Sequence, residues 1–244
     1  MKTPRIPAPV VRQMAQEMTV SRLLLAGALA LAASGARADA TYHPLANGSF
    51  QQNWTNTGLI VTNDDWSGVT SLEGHLGDGF SHPVGTDPST VLAFGTGTLD
   101  VNANNSDPSN ASSGGVYEVD GGAVIAGNPT VAFQGSGTAD APFLLLRVNT
   151  SGCSNIGVSY TLRDIDTVST AIQPVVLQSR VGESGNFAVV AGTFVANANN
   201  GATTAGSATL AAGLENQAQV QLRWITTDAT GSDAMIGIDD IQVT

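Results

Sequence analysis

The feature that most constrains the fold of this chain is a strict alternation of apolar and polar residues over short segments. Every second residue is apolar in segments 156–162 and 220–224, a period that places the apolar side chains on one face of a β-strand. Similar short segments, separated by turns rich in glycine, asparagine and serine, lie at 130–133, 143–148, 174–181, 187–190, 208–210 and 236–243. Short strands without a convincing amphipathic helix predict an all-β fold, an antiparallel β-sandwich.

Residues 1–40 have the organisation of a cleaved signal peptide. Basic residues precede an apolar run at 23–33, and Ala36, Ala38 and Ala40 provide small-x-small cleavage patterns. The run is too short to cross a bilayer, which takes ~20 apolar residues. We therefore expect a signal peptide at 1–40, a single secreted domain at 41–244, and no membrane span in the mature chain.

The charge of the predicted domain limits its partners. Residues 41–244 contain four arginines, no lysine and 18 acidic residues, a net charge of −14. Phosphate backbones and anionic membranes both attract clustered basic residues. The composition therefore argues against nucleic acid as a partner and favours neutral or cationic partners, including divalent cations.

The last strand-like segment, 236–243, changes its apolar face at two adjacent carboxylates. Its apolar residues occupy even positions before Asp239-Asp240 and odd positions after them. A strand can keep all of them in one core only if an extra residue is inserted, so the pattern predicts a β-bulge at this pair.

Carboxylates also follow segment 156–162, where Asp164 and Asp166 continue its apolar face. Calcium takes six to eight oxygen ligands, and a structural Ca²⁺ would be held if several acids converge. The candidate ligands are Asp164, Asp166, Asp239 and Asp240, with residues 63–65 as a further source. The alternative is that these acids form Asx-turns, accept backbone N–H groups or pair with Arg163 and Arg223. No other cofactor is predicted.

A second acidic pattern, Asp100-x-Asn102-x-Asn104, matches the first ligand positions of an EF-hand loop. The match ends there, because Asn105 stands where the loop needs glycine and Ala111 where it needs glutamate. We expect segment 97–115 to be a long surface loop instead, and segment 197–206 to be another.

Signatures of catalysis are missing from the sequence. It contains no Gly-x-Ser-x-Gly, no His-Glu-x-x-His and no phosphate loop. A glycosidase needs two carboxylates facing across a cleft, but with so many acids their presence alone indicates nothing. His75, in a glycine-rich setting, is expected to be a solvated loop residue, with pocket lining as the alternative. We predict that the chain is not an enzyme.

Two tryptophans are candidate ligand-binding residues. Trp54 and Trp66 lie in turn-rich sequence, and exposed aromatic faces are platforms on which sugar rings stack. Packing in the core or at its rim is the alternative for both. Trp224 continues the alternation of segment 220–224 and is predicted to be a core residue.

Five segments in order carry a resemblance to a known family. They are FQQNW at 50–54, GLIVTNDDWSGV at 58–69, GSGTADAPF at 135–143, YTLRDID at 160–166 and GIDDIQV at 237–243. Together they resemble a bacterial secreted β-sandwich module found ahead of endonuclease/exonuclease/phosphatase-type domains in extracellular nucleases. The resemblance covers residues 45–244 and implies a jelly-roll-like, non-catalytic accessory domain, with nuclease activity belonging to a domain that this sequence lacks.

These observations predict a secreted, non-catalytic binding, adhesion or accessory module. Its expected partner is an extracellular glycan or a surface protein, and structural Ca²⁺ is the expected stiffening ion. One alternative is a secreted hydrolase or lyase that acts on an extracellular polymer. The other is a purely structural component of a surface or matrix.

Overall fold

The alternating segments form two stacked β-sheets in the computed structural model, which describes residues 35–105, 111, 113–120, 127–166, 169–199 and 203–244. The predicted signal peptide lies almost wholly outside these residues. The strands are β1 (Arg37–Asp39), β2 (His43–Pro44), β3 (Phe50–Gln52), β4 (Asp65–Thr70), β5 (Leu72–His75), β6 (Asn102–Asn105), β7 (Gly115–Val119), β8 (Thr130–Gln134), β9 (Phe143–Asn149), β10 (Gly157–Asp164), β11 (Val176–Val181), β12 (Ala188–Val189), β13 (Thr203–Thr209), β14 (Val220–Ile225) and β15 (Ile236–Val243).

The strands form two large sheets, called the first and the second sheet, and β1 pairs with β4 in a separate two-stranded sheet. The first sheet has the order β13-β10-β15-β8-β7-β6, with β3 also beside β15, and the second has the order β12-β11-β14-β9, with β2 and β5 both beside β9. From β9 onward the chain repeatedly crosses from one sheet to the other, as in jelly rolls. The predicted all-β sandwich is therefore confirmed, although the short pairs β1-β4, β2-β9 and β6-β7 are parallel.

Within the described ranges, short 3-10 turns lie at Leu45–Asn47, Thr57–Leu59, Pro88–Thr90 and Ala212–Leu214. Among the described residues, no helix has the length and apolar character needed to cross a membrane. The compact unit begins at Gly35, because β1 pairs with β4. The two predicted surface loops are shorter than expected, since β6 lies within segment 97–115 and β13 begins at Thr203.

The main core lies between the sheets and is built from the predicted alternation. Val158, Tyr160 and Leu162 of β10 face Leu222 and Trp224 of β14 within one buried cluster. Trp224 is fully buried, as predicted.

The outer face of the second sheet is also buried, which the alternation did not indicate. Phe143, Leu145, Val176 and Ile225 on that face form a second apolar cluster with Val91 and Phe187 from the connecting segments. For this reason β14 is buried along its whole length, and its polar residues are internal as well.

Gly206 allows the edge strand β13 to lie directly over the core. The Tyr160 ring fills the space that a side chain at Gly206 would need, and the same ring meets Trp224 edge-on with ring centroids 5.5 Å apart. Burial raises the pKa of Tyr160 to about 12, and its hydroxyl has no hydrogen-bond partner within the described structure. Packing of the ring against Gly206 therefore holds β13 on the sandwich.

Replacing Gly206 with alanine should lower the free energy of unfolding by about 1–3 kcal/mol, because the added methyl group overlaps the Tyr160 ring. Urea denaturation monitored by tryptophan fluorescence measures the change. The matched control is Gly137→Ala, since a methyl group there would meet no atom within 4 Å. Equal stability of the two variants would contradict this packing.

Candidate functional site

The C-terminal strand β15 contains the predicted bulge. Its register with β10 runs from Ser159 opposite Gln242 to Thr161 opposite Asp239, so β15 has one more residue than β10 in this interval. Asp240 is the residue in the left-handed region, with φ of 50°, and its side chain is exposed. The bulge at Asp239-Asp240 is thus confirmed, and the apolar residues on both sides of it lie in the main core.

The bulge also changes the neighbour of β15. Before it, β15 pairs with β8, and after it the same edge pairs with β3. The carbonyl of Ile238, at the change of partner, accepts a hydrogen bond of 2.8 Å from the indole Nε1 of Trp54. The buried carbonyl of Ile238 therefore has a hydrogen-bond donor at the point where β15 changes its neighbouring strand.

Asp239 is the buried member of the pair. Its Oδ2 accepts hydrogen bonds from Arg163 Nη1 and Asn128 Nδ2, both at 3.1 Å, and its Oδ1 accepts one from the backbone N–H of Asp240 at 2.8 Å. Burial raises the pKa of Asp239, although the Asp240 N–H and Arg163 act in the opposite direction. This carboxylate is thus a structural acceptor that holds the bulge.

Asp239→Ala should lower the free energy of unfolding by about 2–4 kcal/mol, because it removes the buried carboxylate that accepts hydrogen bonds from Arg163, Asn128 and the Asp240 N–H. The matched control is Asp240→Asn, which keeps a residue type that tolerates positive φ at an exposed position and should change stability by less than about 0.5 kcal/mol. Thermal and urea unfolding provide the comparison. The reverse ranking would show that Asp240 rather than Asp239 maintains the bulge.

The four predicted calcium ligands do not come together. Asp164 Oδ1 accepts the backbone N–H of Asp166 at 3.3 Å, and Asp166 Oδ2 accepts the hydroxyl of Ser169 at 2.6 Å, whereas Asp239 is bound to Arg163. Among the described residues, no group of three or more His, Cys, Asp or Glu side chains is arranged to hold a metal ion. The structure therefore gives no support to Asp164, Asp166, Asp239 and Asp240 as one ligand set, and a structural Ca²⁺ stays a prediction.

The EF-hand-like pattern belongs to a strand rather than a calcium loop. Asn102–Asn105 forms β6 beside β7, and Asp100 Oδ2 accepts the backbone N–H of Val116 at 2.5 Å. Burial raises the pKa of Asp100 to about 6, and the neighbouring carboxylates Asp64 and Asp78 act in the same direction. Asp100 thus anchors the start of β7 at an electrostatic cost.

Asp100→Asn should increase stability at neutral and alkaline pH. The Asp100 carboxyl has a higher pKa in the folded protein than in the unfolded chain. The stability that its protonation contributes is therefore complete below about pH 4 and is lost as the pH rises to about 6. Asparagine retains an acceptor for the Val116 N–H without the charge. We expect a gain of about 2 kcal/mol at pH 8 and little change at pH 4, measured by urea unfolding. A variant less stable than the parent at pH 8 would contradict this assignment.

Both candidate ligand-binding tryptophans are core residues. Trp66 is fully buried and Trp54 is 3% exposed, and their rings meet edge-on with centroids 6.5 Å apart. Trp66 Nε1 donates to the carbonyl of Asp100 at 3.0 Å, as Trp54 does to Ile238. Burial contradicts the prediction that either ring stacks on a sugar, because no face of either ring reaches solvent.

His75 is also buried, contrary to the expected solvated loop. It lies in β5 and stacks on Phe143 with ring centroids 4.6 Å apart, and its Nε2 is 2.9 Å from Glu73 Oε1. The same oxygen accepts from Arg147 Nη2 at 2.6 Å. Burial alone would raise the pKa of Glu73, but the hydrogen bonds from His75 and Arg147 outweigh it and lower the pKa. Glu73 and His75 are two residues apart and therefore share one face of β5. This spacing was the sequence signal that could have identified their contact.

Exposed and half-buried polar residues instead gather on the outer face of the first sheet. Ser207, Ser159, Gln242 and Gln51 are register partners on the adjacent strands β13, β10, β15 and β3. With neighbouring strands ~4.8 Å apart, this row spans ~14 Å. We call this row, together with Asp240 beside it, the Gln242 face. Sequence reasoning missed it, although these residues are the polar members of the same alternating strands.

Two shallow grooves adjoin Gln242 on this face. One, of about 400 Å³, is lined by Gln51, Gln52, Asn53, Asp240, Ile241 and Gln242. The other, of about 340 Å³, lies towards Ser159 and Ser207 and also includes Gln242. Amide and hydroxyl groups both donate and accept hydrogen bonds, so the face can bind a polar, uncharged ligand along its row.

No family model matches the chain, and no curated protein matches it. The resemblance to the nuclease-associated module therefore stays a prediction.

Several solved structures are similar over part or most of the chain. TmCBM61 in complex with beta-1,4-galactotriose is 11% identical, with 55% of this chain and 83% of that chain covered and a TM-score of 0.35. The CBM22-1 xylan-binding domain of Paenibacillus barcinonensis Xyn10C is 15% identical, with 55% and 81% covered and a TM-score of 0.36. The K1 cleaved adhesin domain of Lys-gingipain from Porphyromonas gingivalis W83 is 11% identical, with 80% and 97% covered and a TM-score of 0.43. Scores at this level support no inference, so fold and function rest on the geometry of this chain.

Proposed function

We propose that this protein is a secreted, non-catalytic module that binds a neutral extracellular glycan through the Gln242 face. The observation that carries the proposal is the in-register row of Ser207, Ser159, Gln242 and Gln51. A row of neutral donors and acceptors matches the hydroxyl groups along a sugar chain. The high acidity of the domain disfavours polyanionic ligands and leaves neutral polymers as the fitting class.

The catalytic alternative receives less support from this face. A retaining or inverting glycosidase uses two carboxylates on opposite sides of the scissile bond. Of the adjacent acids, Asp240 is exposed, whereas Asp239 is buried and bound to Arg163. A single exposed carboxylate does not form the acid and base pair that hydrolysis requires.

The same geometry indicates how the glycan would be held. The tryptophans that could have formed a stacking platform are internal, so binding depends on hydrogen bonds made in competition with water. Such bonds contribute about 0.5–1.5 kcal/mol each. We therefore expect weak affinity for a single sugar and stronger affinity for a chain that covers the whole row.

Gln242→Ala combined with Gln51→Ala should weaken binding of a neutral oligosaccharide by about tenfold, the loss expected for one or two net hydrogen bonds. Isothermal titration and affinity electrophoresis against β-1,4-galactan, xylan and other neutral polysaccharides measure the effect. The matched control is Gln219→Ala with Ser154→Ala, which changes exposed polar residues that line neither groove of the Gln242 face and should bind as the parent does.

Three outcomes would overturn the proposal. The first is that the parent protein binds none of the neutral polysaccharides. The second is that both double variants bind as the parent does. The third is release of reducing ends from a polysaccharide, which would favour the hydrolase alternative.

A further inference from the structure

A long segment of this acidic protein carries no charge. From Ser184 to Leu214 the sequence has no Asp, Glu, Lys, Arg or His, although the predicted domain has a net charge of −14. The described part of this segment includes β12, β13 and the turn Ala212–Leu214. Since β12 and β13 are the outermost strands of the second and first sheets, the uncharged segment forms an edge of each sheet.

The two edges lie on the same side of the sandwich. A groove of about 600 Å³ is lined by Ala188 and Val189 of β12 and by Thr209 at the end of β13, together with Leu214. We call this side the neutral edge. Arg180 is the charged residue among those that line the groove, so a partner approaching here meets few charges.

Strand β13 presents backbone groups at the neutral edge that no strand of the described structure pairs with. Gly157 of β10 exchanges both of its backbone hydrogen bonds with Thr244, at 3.0 and 2.9 Å. Because the direction of bonding alternates along a strand, β10 uses its next residue, Val158, and every second one after it to bond β13. Their partners on β13 are Ala208, Gly206 and Thr204. The alternate residues therefore direct their N–H and C=O groups to the free side of the strand, and these are Thr203, Ala205, Ser207 and Thr209.

Protective features that natural edge strands use are missing from β13. Its residues pair with β10 without a register shift, and the strand contains neither proline nor a charged side chain. Edges of this length and regularity are templates for pairing with another strand.

Exposed apolar side chains are concentrated on the same side. Val189 in β12 is 39% exposed, and Phe194, shortly after it, is 44% exposed. Val181, at the end of the strand beside β12, is exposed as well and lines the same groove. Outward backbone groups and apolar side chains thus occur together where charge is lacking.

We propose that the neutral edge is a homodimer interface in which β13 pairs antiparallel with β13 of a second copy. Two copies with a net charge of −14 repel each other, and at physiological salt this repulsion extends over ~8 Å. The neutral edge is the side on which two copies can meet with the least repulsion. Antiparallel pairing of identical strands satisfies the two-fold symmetry that most homodimers adopt.

Sedimentation velocity and light scattering on the purified protein, with its N-terminus defined by mass spectrometry, test the proposal. We expect a dimer whose dissociation constant decreases as salt is raised from about 50 mM to about 500 mM, because salt screens the remaining repulsion. Ala205→Pro removes an outward N–H that β10 does not use and should weaken the dimer by at least about tenfold.

A second variant keeps the backbone unchanged. Phe194→Lys places a charge in the neutral edge and should weaken the dimer by a similar factor of about ten. Its matched control is Val61→Lys, at a residue that is 65% exposed and lies outside the neutral edge; this variant should dimerise as the parent does. Circular dichroism and melting temperature verify that each variant is folded.

Any of three results would overturn the proposal. One is the mass of a single chain at every protein concentration up to about 1 mM. Another is a dimer that withstands both Ala205→Pro and Phe194→Lys. The last is a dimer that salt weakens, since that would indicate association through opposite charges on another surface.

Discussion

The bulge at Asp239-Asp240 is the constraint on which the first sheet depends. Strand β15 lies between β10 on one side and both β8 and β3 on the other, so an error in its register would affect each of these pairs. The extra residue keeps the apolar side chains before and after it in one core. Burying Asp239 has an electrostatic cost, seen in its raised pKa, and the bonds from Arg163, Asn128 and the Asp240 N–H offset that cost.

The second sheet has a different organisation, because both of its faces are internal. Arg223 lies within its outer cluster, with the guanidinium 4.0 Å from the Phe187 ring centroid, and donates to the carbonyls of Val91 and Ala93. Burial lowers the pKa of Arg223 to about 9. This arginine fixes the covering segment to the sheet, which closes this face to large ligands and leaves the first sheet to present an open one.

Much of this architecture could be predicted from the sequence, for a physical reason. A period of two is produced by burial of one strand face, so β10, β14 and the bulge in β15 were all visible as patterns in the order of residues. The covered outer face of the second sheet was not, because β14 carries the polar residues Gln221 and Arg223 on that face; its alternation is that of a strand with one face in solvent, although both residues are buried. None of the strands β1 to β7 was among the predicted segments, and each of them is only two to six residues long.

The candidate site was harder to predict than the fold. Trp54 and Trp66 were candidate ligand-binding residues because they lie in turn-rich sequence. In the structure their indole N–H groups donate hydrogen bonds to backbone carbonyls inside the core. The predicted metal ligands are likewise engaged with Arg163, Ser169 and backbone N–H groups. Convergence of side chains depends on strand register, which sequence spacing does not reveal. Register also aligned four ordinary residues, two serines and two glutamines, into the Gln242 face.

Strand β13 belongs to both the proposed glycan-binding face and the proposed dimer interface. It contributes one side chain to the Gln242 face and its outward backbone groups to the neutral edge. Ser207 directs its side chain to that face and its N–H and C=O groups to the edge, since the two directions are perpendicular in a strand. Pairing of β13 with a second β13 would extend the first sheet across the two-fold axis without consuming the side chains of the row. Two polar rows would then lie on one continuous sheet. If each row binds a glycan weakly, a chain long enough to contact both binds more tightly, because the second contact is intramolecular. A repetitive polymer is therefore the class of ligand that gains most from this arrangement.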